Sequence, residues 1–248
     1  MKPLRCWVLA ALPAVLLAAG SGRAQVPAPD EMSAAFRTAE PQARLAGLAL
    51  QPGALWWAAG RERSPLVAGY SRGVCQLGFA PYTPGRDYRW LFPALPAAQR
   101  AAWLAGLVQH ELAHCAEQAA AQADRQDRQA NARAAHDVGP AAADGWAADA
   151  LVAGGSGTRW HEVLADLAFA LHVDQPRSES GAQLVALMAS LRAGHARQDP
   201  AHDTAPELQC YLQQRLQFKP DGPWLQRLQA WRQRCWTGRT GLTDLTGS

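Results

Sequence analysis

The sequence lacks a surplus of charge of either sign once its first residues are set aside. The chain of 248 residues carries 24 Lys and Arg against 21 Asp and Glu, a formal net charge of +3. Lys2, Arg5 and Arg23 all precede the first acidic residue, Asp30, so the chain without residues 1–24 has no net charge. Phosphate contacts require a basic face, and we therefore expect no nucleic-acid partner.

Long apolar runs are also scarce. The one candidate extends from Cys6 to Ala19 and falls short of the roughly 20 residues that cross a bilayer. A basic start precedes it and small residues follow it before Gln25, which is typical of a cleaved secretory signal. We predict a signal peptide over residues 1–24, a periplasmic or secreted mature protein, and no stable membrane insertion after cleavage.

Cysteines are few, but four of the five lie beyond the predicted signal: Cys75, Cys115, Cys210 and Cys235. An even number in an oxidising compartment predicts two disulfides, with three possible connectivities. Cys210 and Cys235 flank a turn between two helix-like stretches, which favours pairing them and leaves Cys75 for Cys115. Four buried free thiols are the alternative.

Aromatic residues make up only 8% of the chain, although ten of them are Trp, and hydrophobic residues make up 48%. This composition excludes a disordered linker and indicates a globular protein. The chain contains no internal repeat. We predict a predominantly helical α+β fold in a single domain over 25–248, divided into a strand-rich part (25–95), a helical part (96–236) and a loose tail (237–248).

Pro96 begins the longest predicted helix, which runs to about Arg128. Residues 129–157 are rich in Ala and Gly and predict a loop with at most one short helix. Thr158 is the predicted N-cap of a helix to about Val173. The other predicted elements are strands between Leu55 and Leu91 and helices near Glu31–Arg44, Ala182–His195, Pro206–Phe218 and Trp224–Trp236.

Histidine is rare, with 7 residues, yet two of them stand four positions apart in the sequence H-E-L-A-H at 110–114. Positions i and i+4 of a helix lie on one face, so His110 and His114 can bind one metal ion. Glu111 lies beside that face and can reach a bound water without being a ligand. This is the HExxH motif. The alternative is a pair of ordinary surface or core histidines.

A catalytic zinc site usually has three protein ligands and a water, so a third ligand is required. The metzincin continuation needs a histidine where Ala120 stands, which excludes that subclass. Downstream, E-V-L-A-D at 162–166 places Glu162 and Asp166 on one helical face. His161 and Asp166 are rivals to Glu162 as the third ligand. A solvated acidic face is the alternative interpretation of this segment.

Together, the two motifs resemble those of the gluzincin metallopeptidases, in which HExxH on one helix is completed by ExxxD on a second. The resemblance covers little else of the chain. It implies a zincin-like fold with one zinc ion bound by His110, His114 and Glu162, and with Glu111 as general base. It also implies that Asp166 orients the His110 imidazole. The predicted strands would form the zincin sheet, whose edge strand binds an extended peptide by β-augmentation.

Peptide hydrolysis passes through a tetrahedral intermediate with a negatively charged oxygen, the oxyanion. The sequence does not decide which residue stabilises it. Trp56 and Trp57 could line a substrate groove, although paired tryptophans are more often core and rim residues. The oxyanion candidates are His136, His172, His195, His202 and Tyr211.

These patterns predict an exported zinc metallopeptidase that acts on a peptide or protein substrate; they leave its oligomeric state open. One alternative is a zinc hydrolase of a non-protein amide in the cell envelope. The other is a non-catalytic, disulfide-stapled helical binding protein with a structural metal site. A Cys75–Cys115 bridge would attach the strand region to the HExxH helix and support the site.

Overall fold

A computed structural model describes residues 26–56, 66–71, 73–79, 91–137, 156–175 and 177–236. The predicted signal peptide and loose tail lie outside these residues. The described part is predominantly helical with one small sheet, which confirms the α+β class. Its elements in chain order are α1 (Pro29–Leu45), β1 (Ala49–Trp56), β2 (Leu66–Ser71), β3 (Val74–Phe79), α2 (Ala97–Asp137), α3 (Ser156–Val173), α4 (Glu179–His195), a 3₁₀ turn (Pro200–His202), α5 (Ala205–Gln214) and α6 (Trp224–Cys235).

Helix α1 begins at Pro29, where a proline suits the first turn because that N–H has no partner within the helix. The Glu31 carboxylate accepts a hydrogen bond from the Ala28 N–H at 2.8 Å. It also accepts two from Arg100 of α2, at 2.7 and 3.0 Å. The start of α1 is therefore tied to the start of α2. The buried face of α1 follows helical spacing and consists of Met32, Ala35, Ala39 and Ala43.

The three described strands form a mixed sheet in the order β1-β3-β2. The middle strand, β3, pairs parallel with β1 and antiparallel with β2. Gly73 lies between β2 and β3 with a φ of +82°, a conformation that favours glycine. Strand β1 begins at Ala49, ahead of the predicted Leu55, because an edge strand tolerates Pro and Gly where a central strand would not.

Two disulfides have the connectivity predicted from the sequence. Cys75 of β3 is bonded to Cys115 of α2, with Cα atoms 5.7 Å apart. Cys210 of α5 is bonded to Cys235 of α6, with Cα atoms 5.6 Å apart. The first bridge attaches the sheet to the long helix beside His114, and the second joins the two C-terminal helices.

Helices α2 and α3 pack at very short range around Gly106. A Cβ at this glycine would lie 2.6 Å from Cδ2 of Phe169 and 2.7 Å from Cγ1 of Val173. Trp103 packs edge-on against Phe169 and donates its indole N–H to the Leu91 carbonyl at 2.8 Å. This contact fixes the position of one helix on the other.

Several predicted boundaries differ from the structure, and α5, predicted to end at Phe218, ends at Gln214. Helix α2 continues past Arg128 to Asp137, because residues 129–137 contain the strong helix formers Ala, Gln and Arg and no Gly or Pro. Helix α3 begins at Ser156, so Thr158 lies within its first turn and is not its N-cap. The rest of the predicted loop, residues 138–155, lies outside the described part. Among the described helices, none has the length and hydropathy to cross a bilayer.

Candidate metal centre

The HExxH segment lies within α2, so helical geometry places its two histidines one turn apart. Nε2 of His110 lies 3.3 Å from Nε2 of His114, and the two rings meet edge to face. His110 is buried, with 6% of its surface exposed, and His114 is partly buried. Glu111, between them in the chain, is buried as well.

Helix α3 runs antiparallel to α2 and brings Glu162 to this pair. One carboxylate oxygen of Glu162, Oε2, lies 3.4 Å from Nε2 of His110, and the other lies 3.5 Å from Nε2 of His114. One ligand atom from each of the three residues falls within 4.8 Å of the other two. This buried group could hold a metal ion.

The chemistry of the three residues fits a divalent cation. Oε2 of Glu162 is buried and makes no hydrogen bond of good geometry, which is costly for a carboxylate oxygen unless a cation or water completes its shell. Two imidazoles and one carboxylate are the donor set of many catalytic zinc sites. Of the alternative, surface or core histidines, the surface half does not fit, because His110 is buried.

Asp166 does not face the candidate metal position. Its Oδ1 lies 2.9 Å from Nδ1 of His110, on the side of the ring opposite Nε2. Arg192 of α4 donates to both oxygens of Asp166, at 2.7 and 2.8 Å, and the Thr204 hydroxyl donates to Oδ2. A carboxylate with no exposed surface is thus surrounded by donors from three segments of the chain.

These contacts determine the protonation of the group. Burial disfavours the charged His110 imidazole, but the hydrogen bond to Asp166 and the nearby Glu162 carboxylate outweigh burial and raise its pKa. Burial raises the pKa of Glu162, but the adjacent imidazoles of His110, His114 and His202 outweigh this and lower it. For Asp166, burial is outweighed by the charge of Arg192, and the pKa is lowered. A cation binding here would therefore displace protons from imidazole nitrogen.

His161, a rival third ligand, makes a different contact. Its Nδ1 lies 2.7 Å from Oε2 of Glu117, one turn beyond His114 on α2. The other oxygen of Glu117 accepts from Arg232 of α6, whose guanidinium lies 3.9 Å above the Trp160 ring. This cluster forms the next layer between α2 and α3. His161 therefore contacts Glu117 and does not face the candidate metal position.

Of the five oxyanion candidates, His202 lies at this group. The 3₁₀ turn carries His202, and its Nε2 lies 3.1 Å from Oε2 of Glu162. Its Nδ1 lies 2.8 Å from Oδ2 of Asp199. The side chain of His202 is 28% exposed and can be reached from solvent.

The other four candidates lie on four different helices. The Tyr211 hydroxyl donates to Asp174 at 3.0 Å. His172 and His195 lie in the last turns of α3 and α4. The side chain of His136, at the end of α2, is outside the described part, as are those of Trp56 and Trp57.

Sequence reasoning missed the residues that support the site, Arg192 and Thr204. Asp166 is surrounded in the chain by apolar residues, which signals that a buried carboxylate needs a cationic partner. That signal does not say which of the arginines supplies the charge.

We compared the chain with known protein families, curated proteins and solved structures. No protein-family model, curated protein or solved structure matches it.

Proposed function

We propose that the protein is an exported, zinc-dependent metallopeptidase of the gluzincin type. The observation that carries this proposal is the buried group of His110, His114 and Glu162, with ligand atoms within 4.8 Å of one another. Three protein ligands leave a coordination position open, as in catalytic zinc sites, whereas structural sites have four. In the described part of the chain, no fourth residue belongs to this group.

The chemistry would be hydrolysis of a peptide bond by an activated water. Zinc, when bound, acidifies water and polarises the carbonyl group. The Glu111 carboxylate accepts the proton of the attacking water and later transfers it to the leaving amine. Asp166 accepts a hydrogen bond from Nδ1 of His110 and so keeps Nε2 of that ring available for coordination.

We assign stabilisation of the oxyanion to His202. This imidazole borders Glu162 and is partly open to solvent, so a substrate carbonyl at the metal position would lie near it. Asp199, 2.8 Å from Nδ1, orients the ring. Burial lowers the pKa of His202, but the carboxylates of Glu162 and Asp199 outweigh burial and raise it, which favours a protonated ring with an N–H at Nε2. A donor held in this way stabilises negative charge that develops on the carbonyl oxygen.

An extended substrate would bind along the edge of the sheet. Of the described strands, β2 lies at one edge and is antiparallel to its neighbour. The Tyr70 N–H donates to Oε1 of Gln118 at 3.1 Å, and Gln118 follows His114 by one helical turn. The outer side of β2 therefore borders the face of α2 that carries the histidines. A peptide that pairs with β2 would pass beside the metal position.

The two disulfides support an oxidising compartment for the mature protein. We therefore place the enzyme in the periplasm or outside the cell, after removal of the predicted signal peptide.

The test combines metal analysis with a peptide-library assay on the purified mature protein. We expect one zinc ion per chain and cleavage of peptides. Glu111→Gln should keep the zinc and lose about 10²- to 10⁴-fold in hydrolysis, the usual contribution of a general base. Glu162→Ala should lose the zinc. Glu179→Gln, at an exposed position of α4, is the matched control and should behave as wild type.

Three results would contradict parts of this proposal. Full activity of Glu111→Gln would remove Glu111 as the base. Zinc without an exchangeable solvent position would indicate a structural site in a binding protein. Cleavage of cell-wall fragments in place of peptides would assign the same chemistry to a non-protein amide.

A further inference from the structure

The outer side of β2 has a hydrogen-bond partner from within the chain. In an antiparallel pair, alternate residues direct their N–H and C=O groups toward the neighbouring strand and away from it. The Tyr70 N–H is directed away from β3, because it donates to Oε1 of Gln118. Ala68, two residues earlier, directs its backbone groups to the same outer side. The Gln118 carboxamide thus stands where a substrate carbonyl would accept from Tyr70.

The position of Gln118 relative to the metal group follows from chain geometry. The Gly69 carbonyl oxygen lies 3.6 Å from Sγ of Cys115, and Tyr70 contacts Gln118, so β2 and α2 advance in the same sense. Two residues of strand span about 6.6 Å, and one turn of helix rises about 5.4 Å. Ala68 therefore lies roughly level with His114, and Tyr70 lies one turn beyond it.

We infer that Gln118 limits the length of substrate that the enzyme pairs along β2; this inference rests on the proposed function. Antiparallel pairing is the more stable arrangement. A substrate bound in this way runs against β2, so residues on the N-terminal side of the scissile bond extend from Ala68 toward Tyr70. Gln118 ends the pairing there, and the enzyme prefers substrates with few residues on that side. Gln118 is thus a specificity-determining residue.

Gln118 is exposed on α2, so its replacement should leave the fold intact. The test uses two synthetic peptides that share one cleaved sequence, one of them lengthened by a few residues at its N terminus. We expect Gln118→Ala to raise the ratio of kcat/KM for the long peptide to that for the short one. The expected increase is about 2- to 10-fold, the effect of one additional backbone hydrogen bond.

Two control variants isolate the cause. Gln118→Glu keeps an acceptor for the Tyr70 N–H and should keep the wild-type ratio. Gln126→Ala changes an exposed glutamine two turns further along α2 and should leave both peptides unaffected. Hydrogen exchange provides a readout without substrate, because the Tyr70 amide should exchange faster in Gln118→Ala than in wild type.

The outcomes separate this inference from the function on which it rests. If the wild type cleaves no peptide, the proposed function fails and the inference fails with it. If the wild type cleaves peptides and Gln118→Ala leaves the long-to-short ratio unchanged, only the inference fails. Equal exchange of the Tyr70 amide in the two proteins would also overturn it, because the hydrogen bond would then be absent in solution.

Discussion

Asp166 lies 2.9 Å from Nδ1 of His110 and leaves Nε2 of that imidazole facing Glu162. A fully buried carboxylate on α3 thus fixes the tautomer and the orientation of a histidine on α2. The same carboxylate binds Arg192, so three helices meet at one side chain.

Asp166→Asn should weaken zinc binding by about 10- to 100-fold, the usual effect of losing a carboxylate that orients a metal-bound histidine. An amide cannot accept hydrogen bonds from His110, Arg192 and Thr204 with equal strength. Competition with a chromophoric chelator would measure the dissociation constant. Asp221→Asn, in the exposed turn before α6, is the control. Unchanged zinc affinity in Asp166→Asn would show that Asp166 does not orient the ligand.

Arg192→Met should lower the free energy of unfolding of the metal-free protein by about 3–5 kcal/mol, because it leaves the Asp166 charge buried without its principal counter-charge. Urea unfolding followed by circular dichroism would measure the change. Arg197→Met removes an exposed arginine just after α4 and should change stability by less than about 0.5 kcal/mol. Equal stability of the two variants would mean that the Arg192–Asp166 pair contributes little.

Gly106→Ala should destabilise the protein by about 1–3 kcal/mol, because the added methyl group would overlap Phe169 and Val173. Gly194→Ala is the matched control in α4, where a Cβ would meet nothing within 4 Å. That change should be neutral or stabilising by up to about 1 kcal/mol, as expected for alanine in a helix. Thermal unfolding of both variants would measure the contrast. A change in stability of the same sign for both variants would argue against close packing of α2 on α3.

The Glu31–Arg100 ion pair should make stability depend on pH in acid. The hydrogen bond from Arg100 lowers the pKa of Glu31 from 4.5 to about 2. Since the folded pKa is depressed, the stabilisation is present above pH 4.5 and is lost as the pH falls toward 2. The difference in unfolding free energy between wild type and Glu31→Gln should therefore narrow over this range.

Asp30→Asn is the control for this pH dependence, because Asp30 is exposed at the same end of α1. Denaturant titrations of the three proteins, from neutral pH down to about pH 3, would follow the effect. A constant difference between wild type and Glu31→Gln at every pH would contradict an ionic contribution from this pair.

Local patterns predicted much of this fold. Helical periodicity predicted that His110 and His114 share one helix face, and that Glu162 and Asp166 share another, because residues four positions apart lie on the same face of any helix. The predicted disulfide connectivity also matches the structure. The end of α2 was misplaced because its last residues favour helix by propensity alone and have no apolar stripe to mark them.

The competition for the third metal position shows the limit of such patterns. His161, Glu162 and Asp166 lie within two turns of α3, and spacing alone could not rank them. In the structure His161 contacts Glu117, Asp166 contacts His110 and Arg192, and Glu162 faces both histidines. The packing of α3 on α2 makes this selection, and Gly106 permits the close approach.

The sequence by itself determined which side chains share a helix face and how many cysteines lie beyond the predicted signal peptide, because these depend on residue types and near-neighbour spacing. Only the tertiary structure decided that Glu162 joins the two histidines, that His202 borders Glu162, and that Arg192 neutralises Asp166. Those contacts join residues that are distant in the chain. Their distances are fixed by the packing of buried side chains between helices, which no local period encodes.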